Sequence, residues 1–200
     1  MSALPIPRPT TGSRRWLCTA DQYYRMSDLG FFADRRVELI GGEIIDVAAQ
    51  GNWHARYCKA ADVTLSAAFG PNFWVRVQND LDLSPLSIPE PDLAVIAGSY
   101  LTHTQRANPT SALLVVEVSE TTLDVDQGRK ASLYAAAGIA DYWVLNLVQW
   151  QLEVYRDPRP DPSQDFAAGY TAITVYQRGQ AVTPLALPTA TVAVIDLLPV

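Results

Sequence analysis

The sequence predicts an α/β protein in which a central sheet is flanked by helices, and three observations carry that expectation. The stretches "PDLAVI" and "SALLVVEVS" are nearly continuous apolar runs, as strands are when both faces of a sheet are covered. Between "SALLVVEVS" and a further apolar strand, "DYWVLNL", lies the helical stretch "DQGRKASLYAAAG", giving the strand, helix, strand order of a crossover connection. In "NWHARYCKAADVTLSAAFG", the residues His54, Cys58, Ala61, Leu65 and Ala68 recur at steps of four and three, which places them on one inward face of a long helix.

The elements follow in order along the 200 residues, a length suited to one domain with a proper core. The first fifteen residues hold three prolines and four Ser/Thr and read as a loose arm, taken here as residues 1–18, ahead of a single domain over residues 19–200. "TADQYYRMSDLG" has a threonine N-cap, acid in its first turn and a closing glycine, the signals of a short helix. "RRVELIGGEIIDV" joins two β-rich runs through Gly41-Gly42, a hairpin signal, with Glu38 on the first strand. The long helix then ends at Gly70-Pro71, and "FWVRVQNDLDL" alternates as a strand.

After "PDLAVI" and "SALLVVEVS", the helix Asp126 to Gly138 is expected to be capped by its aspartate and ended by its glycine. "DYWVLNL" and "QLEVYR" are strands, and "DPRPDPSQD" is a polar, proline-rich loop. From about residue 157 a C-terminal β extension is expected, with strands in "YTAITVYQ" and "ATVAVID" that extend or cover the sheet.

Composition narrows the class of function. With 48% hydrophobic and 18% charged residues the chain is an ordinary globular protein. A net charge of -6 argues against nucleic-acid binding by bulk charge, so any DNA contact must come from a local patch, for which Arg56, Arg76, Arg106, Arg129, Arg156 and Arg159 are candidates. No apolar run suggests a membrane span and residues 1–15 lack an export signal, so a cytoplasmic protein is expected. Cys18 and Cys58 have no metal-ligand spacing and read as reduced, buried thiols. Among 15 basic residues only Lys59 and Lys130 are lysines, which makes a lysine near acids informative.

Three acids, Glu38, Asp92 and Glu117, lie on or at the threshold of strands that otherwise bury apolar side chains. A buried carboxylate needs a partner. The two-residue period of "VVEVS" sets Val115, Glu117 and Ser119 on one face, and Lys130 sits beside the core-facing stripe of the next helix, within plausible reach of the acids. The spacing leaves two readings open: a buried structural ion pair, or a site for divalent-metal hydrolysis of phosphodiesters, in which carboxylates hold Mg²⁺ or Mn²⁺ and the ammonium aids the transition state.

A resemblance bears on that choice. In "VELIGGEII", the helix beginning "HAR", "VQNDLDL", "PEPDLAVI", "VVEVSETT", "DQGRK" and "GIADYWVLNL", the chain resembles the Uma-type "putative restriction endonuclease" family of the PD-(D/E)XK nuclease superfamily, in order over about residues 19–156. The resemblance implies an α/β restriction-endonuclease-like core with a mixed central sheet flanked by helices and extra C-terminal strands. It implies that Asp92 and Glu117 hold Mg²⁺ or Mn²⁺ with the backbone carbonyl of Val118, and that Glu38 is a further ligand or orienter. His54 and Gln78 match family positions that would line the same cleft. The superfamily's usual lysine two residues after the acid is absent, since Ser119 stands there, and the resemblance suggests that Lys130 takes its role. Asn146 replaces a typical aspartate.

The expectation is therefore a Mg²⁺-dependent endonuclease acting on DNA, working as a homodimer. The rival is a catalytically silent relative that keeps the fold as a binding or assembly module, a reading favoured by the acidic charge and by Ser119. Hydrolysis of another phosphate substrate would share the site and differ in the cleft.

Overall fold

The computed structural model describes residues 15–47, 51–103 and 108–199, so most of the expected N-terminal arm and Arg106 lie outside the described residues. Helix α1 (Ala20–Asp28) opens on Thr19, whose hydroxyl accepts from the Gln22 N–H while the Gln22 side chain accepts from the Thr19 N–H. This reciprocal box satisfies two of the amides that a helix start leaves unpaired. The hairpin β1 (Val37–Ile40) and β2 (Glu43–Asp46) turns through Gly41 and Gly42, with φ of 62° and 80°. A Cβ at Gly42 would also lie 2.6 Å from Leu17 Cβ, so the site demands glycine twice over.

Helix α2 (Asn52–Phe69) buries Tyr57, Cys58, Ala61, Leu65 and Phe69 and stops at Gly70, whose φ is 73°. Then come β3 (Phe73–Val77), β4 (Leu93–Ala97) and β5 (Leu114–Ser119). A helical crossover follows, made of α3 (Leu123–Val125), a π-helical turn (Asp126–Lys130) and α4 (Ala131–Ala136), and leads to β6 (Asp141–Asn146). Strands β7 (Gln151–Pro160) and β8 (Ala168–Gln177) complete one six-stranded sheet of order β3-β4-β5-β6-β7-β8. Only β5 and β6 are parallel, because only they are joined by the crossover; the other neighbours are antiparallel. The mixed α/β fold expected from the sequence is the one observed.

The alternation along β5 divides the core. Leu114, Val116 and Val118 pack with Tyr57, Ala61 and Leu65 of α2 on one face. Val115 packs with Ala131, Tyr134 and Tyr142 on the other. The chain's end closes the first face through β9 (Ala181–Val182), β10 (Val192–Ala193) and the short α5 (Val194–Leu197). A third cluster joins Tyr23 of α1 to Val37 and Leu39 of β1 and to Ile88.

Four expectations need correction. The strand starting at Phe73 ends at Val77, because Gln78 takes a left-handed φ of 52° and the chain leaves the sheet. Asp126 is not a cap but lies inside the helical crossover, buried, accepting a hydrogen bond from Thr122 at 2.6 Å. β7 continues through Pro160 where a loop was expected, pairing Pro158 with Tyr170 and Pro160 with Ala168. "ATVAVID" is only briefly a strand and ends as α5.

Leu65 is fully buried between α2 and the sheet, whereas Val63 on the same helix is 56% exposed. Leu65→Ala is expected to cost about 2–5 kcal/mol through lost burial and a residual cavity, and Val63→Ala about 0.5 kcal/mol or less. Urea unfolding of the two variants checks this, and equal losses would contradict the packing described.

Candidate active site

The site forms where two strands part. The β4–β5 ladder has Leu93 opposite Val116 as its last pair, and one step further the main chains no longer bond to each other. Instead the Asp92 N–H donates to Glu117 Oε2 at 3.2 Å, and the Val118 N–H donates to Asp92 Oδ2 at 2.8 Å. Each carboxylate thus satisfies an amide that the splayed strands leave open, which is how buried backbone groups avoid the penalty of going unpaired. On the other side of β4 the Gln78 N–H still bonds the Asp92 carbonyl at 3.0 Å, and the Gln78 amide lies 3.4 Å from Asp92 Oδ1.

Lys130 joins this pair to Glu38. Its Nζ lies 3.1 Å from Glu117 Oε1 and 3.2 Å from Glu38 Oε1, with all three side chains largely buried. Glu38 also accepts the Glu90 N–H at 2.9 Å, while Arg36 pairs with Glu90 and Arg35 with Asp46. Glu38 therefore faces Lys130 and not the arginines beside it in sequence. Asp92, Glu117, Lys130 and Glu38 come from separate segments, yet a chain of hydrogen bonds links them.

The electrostatics follow from burial. Loss of water and the nearby carboxylates of Asp126, Asp92 and Glu38 push the Glu117 carboxyl well up, against the pull of Lys130. Burial would lower the Lys130 ammonium, but Glu117, Glu38, Asp126 and Asp92 outweigh it and hold the group above its ordinary range. Burial would raise Asp92, but His54, the Val118 N–H and Lys130 bring its carboxyl below the usual value. The acids are thus pushed apart, a pattern concentrated at functional sites.

The α2 helix contributes His54, whose Nε2 lies 2.9 Å from Asp92 Oδ2, and Cys58, whose Sγ lies 3.4 Å from His54 Nδ1. Gln78 and His54 therefore flank Asp92, and Val118 takes part through its N–H. Sequence reasoning missed three neighbours. Tyr134 donates to Glu117 Oε1 at 2.7 Å, Asp126 is 3% exposed and close enough to raise Glu117, and Cys58 had been read only as a core thiol. The spacing of Asp126, Lys130 and Tyr134, at i, i+4 and i+8, was the available signal for the first two.

The expected arginine rim is mostly committed elsewhere. Arg129 pairs with Glu43 and Arg156 with Asp141, Arg159 with Asp157, while Arg76 is buried over Trp74. Arg56 lies over the rings of Trp53 and Tyr57 beside His54. Asn146 is fully used, accepting from the Val148 and Gln149 N–H groups and donating to Gln149 and Glu153. His103 is half-buried against Trp74.

A mixed sheet with acids at the splayed ends of two adjoining strands, and a helix crossing between β5 and β6, is the architecture of the restriction-endonuclease-like fold class. The Uma2 family model, described as "Putative restriction endonuclease", matches residues 20–195, and the chain belongs to that family. Its fold is similar to the crystal structure of "a putative nuclease belonging to DUF820" from Anabaena variabilis ATCC 29413. The two are 14% identical with a TM-score of 0.66, over 90% of this chain and 97% of that one. No curated protein matches the chain.

In the loop after β3, half-buried Asp80 has its carboxyl pushed up to about 6 by burial and by the carboxylates of Glu90 and Asp82. The native state holds this proton to higher pH than the unfolded chain, whose aspartates titrate near 3.9. The group's contribution to stability therefore falls as pH rises from about 4 to about 6. Asp80→Asn is expected to add about 1–2 kcal/mol near pH 7, allowing for solvent screening, and almost nothing near pH 4. An equal gain at both pH values in urea unfolding would refute this origin.

Proposed function

We propose that the chain is a Mg²⁺- or Mn²⁺-dependent endonuclease that hydrolyses DNA phosphodiester bonds. The observation that carries this reading is the convergence of Asp92, Glu117, Glu38 and Lys130, with Lys130 Nζ 3.1 Å and 3.2 Å from two of the carboxylates. Membership of a family described as "Putative restriction endonuclease" supports it. The donor set fits a hard dication, since carboxylate and carbonyl oxygens are what Mg²⁺ and Mn²⁺ prefer.

Asp92 and Glu117, with the Val118 carbonyl, would hold the ion, and Glu38 would assist from β1. The ion supplies an activated water and neutralises charge developing on phosphorus. Lys130, kept protonated by its carboxylate neighbours, positions the water and stabilises the transition state rather than acting as a base. Gln78 and His54 orient Asp92 through contacts of 3.4 Å and 2.9 Å.

A homodimer would present two such sites to the two strands of a duplex. Among the described residues no helix is long and apolar enough to cross a membrane, and the proposed place of action is the cytoplasm.

Purified protein incubated with plasmid, linear and single-stranded DNA is expected to cleave with Mg²⁺ or Mn²⁺ and to stop on chelation. Asp92→Ala and Glu117→Gln should each lower cleavage by at least about 10²-fold, and Lys130→Met by a similar factor, with thermal melts confirming folded variants. Isothermal titration should show a bound dication that Asp92→Ala removes. Intact DNA with every dication, and no ion binding that Asp92→Ala abolishes, would sink the nuclease reading and leave the fold as a binding module.

A further inference from the structure

Cys58 has no part in the proposed hydrolysis, yet it stands against the residues that would perform it. His54 and Cys58 are four residues apart on α2, so their side chains leave one face of the helix. That face meets the splayed start of β4. His54 Nε2 is 2.9 Å from Asp92 Oδ2, and Cys58 Sγ is 3.9 Å from the same nitrogen. One ligand atom from each of the three residues lies within 4.8 Å of the other two.

The three ligand atoms are grouped within reach of a single ion. Metal–nitrogen and metal–oxygen bonds of about 2.0–2.1 Å and a metal–sulfur bond of about 2.3 Å, set at tetrahedral angles, need ligand separations of about 3.4–3.6 Å. The His54–Asp92 contact would open, and the Cys58–His54 contact close, by a few tenths of an ångström, while the Cys58–Asp92 separation, within 4.8 Å, would close by up to about 1.3 Å. Side-chain rotation supplies such shifts. The pocket is sheltered, with Cys58 4% and Asp92 6% exposed.

We infer that His54, Cys58 and Asp92 form a three-ligand site for a borderline, thiophilic dication of the zinc and cobalt class. Imidazole and thiolate select such ions over Mg²⁺, whose preference is for oxygen alone. Three protein ligands leave a fourth position for water, or for the Gln78 amide oxygen once that amide is turned about, since its nitrogen lies 3.4 Å from Asp92 Oδ1. As the sulfur–metal bond forms, the thiol proton passes to solvent. The site shares Asp92 with the proposed nuclease centre but uses neither Glu117 nor Lys130, and it does not depend on that reading.

Cobalt tests it without DNA. Titrating Co²⁺ into the full chain, kept reduced by a phosphine, should produce a near-ultraviolet thiolate-to-cobalt charge-transfer band together with the visible bands of a tetrahedral ion. Zn²⁺ should bleach both, whereas a large excess of Mg²⁺ should not. Cys58→Ser should lose the charge-transfer band, His54→Ala should weaken binding at least tenfold, and Cys18→Ser should leave the spectrum unchanged. Glu117→Gln should keep the band, which separates this site from the carboxylate–lysine centre whatever the DNA assays give. A folded wild-type chain that shows no such band overturns the inference, and this measurement needs no variant. A band that survives Cys58→Ser in a chain with a normal melt overturns it equally.

Discussion

One ammonium placed among four buried carboxylates is the constraint on which the rest of this molecule depends. Glu38, Asp92, Glu117 and Asp126 are each 6% exposed or less, and isolated burial of any one as an anion would be costly. Lys130 bonds two of them directly and acts on the others through space. Removing it would leave uncompensated charge in the interior, a larger loss than the pair's own net value. The remaining imbalance is absorbed in three ways: Glu117 is shifted towards its neutral form, Asp92 leans on His54, and Tyr134 donates to Glu117.

The backbone is bent to serve this arrangement. A π-helical turn spans Asp126–Lys130, widening the helix where acid and lysine both point inward, a device common at functional sites. The splaying of β4 from β5 opens room for the carboxylates, which take over the ladder's amides. Gln78, at φ 52°, ends β3 and keeps its amide beside Asp92. Ser119, two residues after Glu117, brings no charge to the site, and the ammonium comes instead from the following helix, where Lys130 Nζ lies 3.1 Å from Glu117 Oε1.

What was legible in the sequence was local. The Gly41-Gly42 hairpin, the Thr19 cap, the apolar face of α2 and the crossover all rest on signals a few residues long, and all are present. The miss at β7 has a tertiary cause. Its pairing with β6 ends at Arg156 opposite Asp141, and from there β7 has β8 alone as neighbour. On such a free edge the missing N–H of Pro158 and Pro160 breaks no ladder, so the prolines that read as a loop are tolerated in a strand. Asp126 was misread for a similar reason: an aspartate ahead of a helical stretch resembles a cap unless one knows that Thr122 and a buried lysine await it. Spacing put Lys130 near the acids, but nothing in it could show that Glu38, ninety-two residues away, would share the ammonium.

Asp92 is where these strands of reasoning meet. Its two oxygens are held by the Val118 amide, the Gln78 side chain and the His54 imidazole, so the direction of the carboxylate is fixed by the protein itself. On one side lie Glu117 and Lys130, oxygen and ammonium chemistry suited to a hard ion and a phosphate. On the other lie imidazole and thiol, chemistry suited to a softer one. Because α2 carries the soft pair and β5 carries Glu117, the packing of Ala61 and Leu65 against β5 sets the distance between the two chemistries. A change in that core contact would shift His54 and Cys58 relative to Asp92 and Glu117, although neither Ala61 nor Leu65 touches those groups' polar atoms.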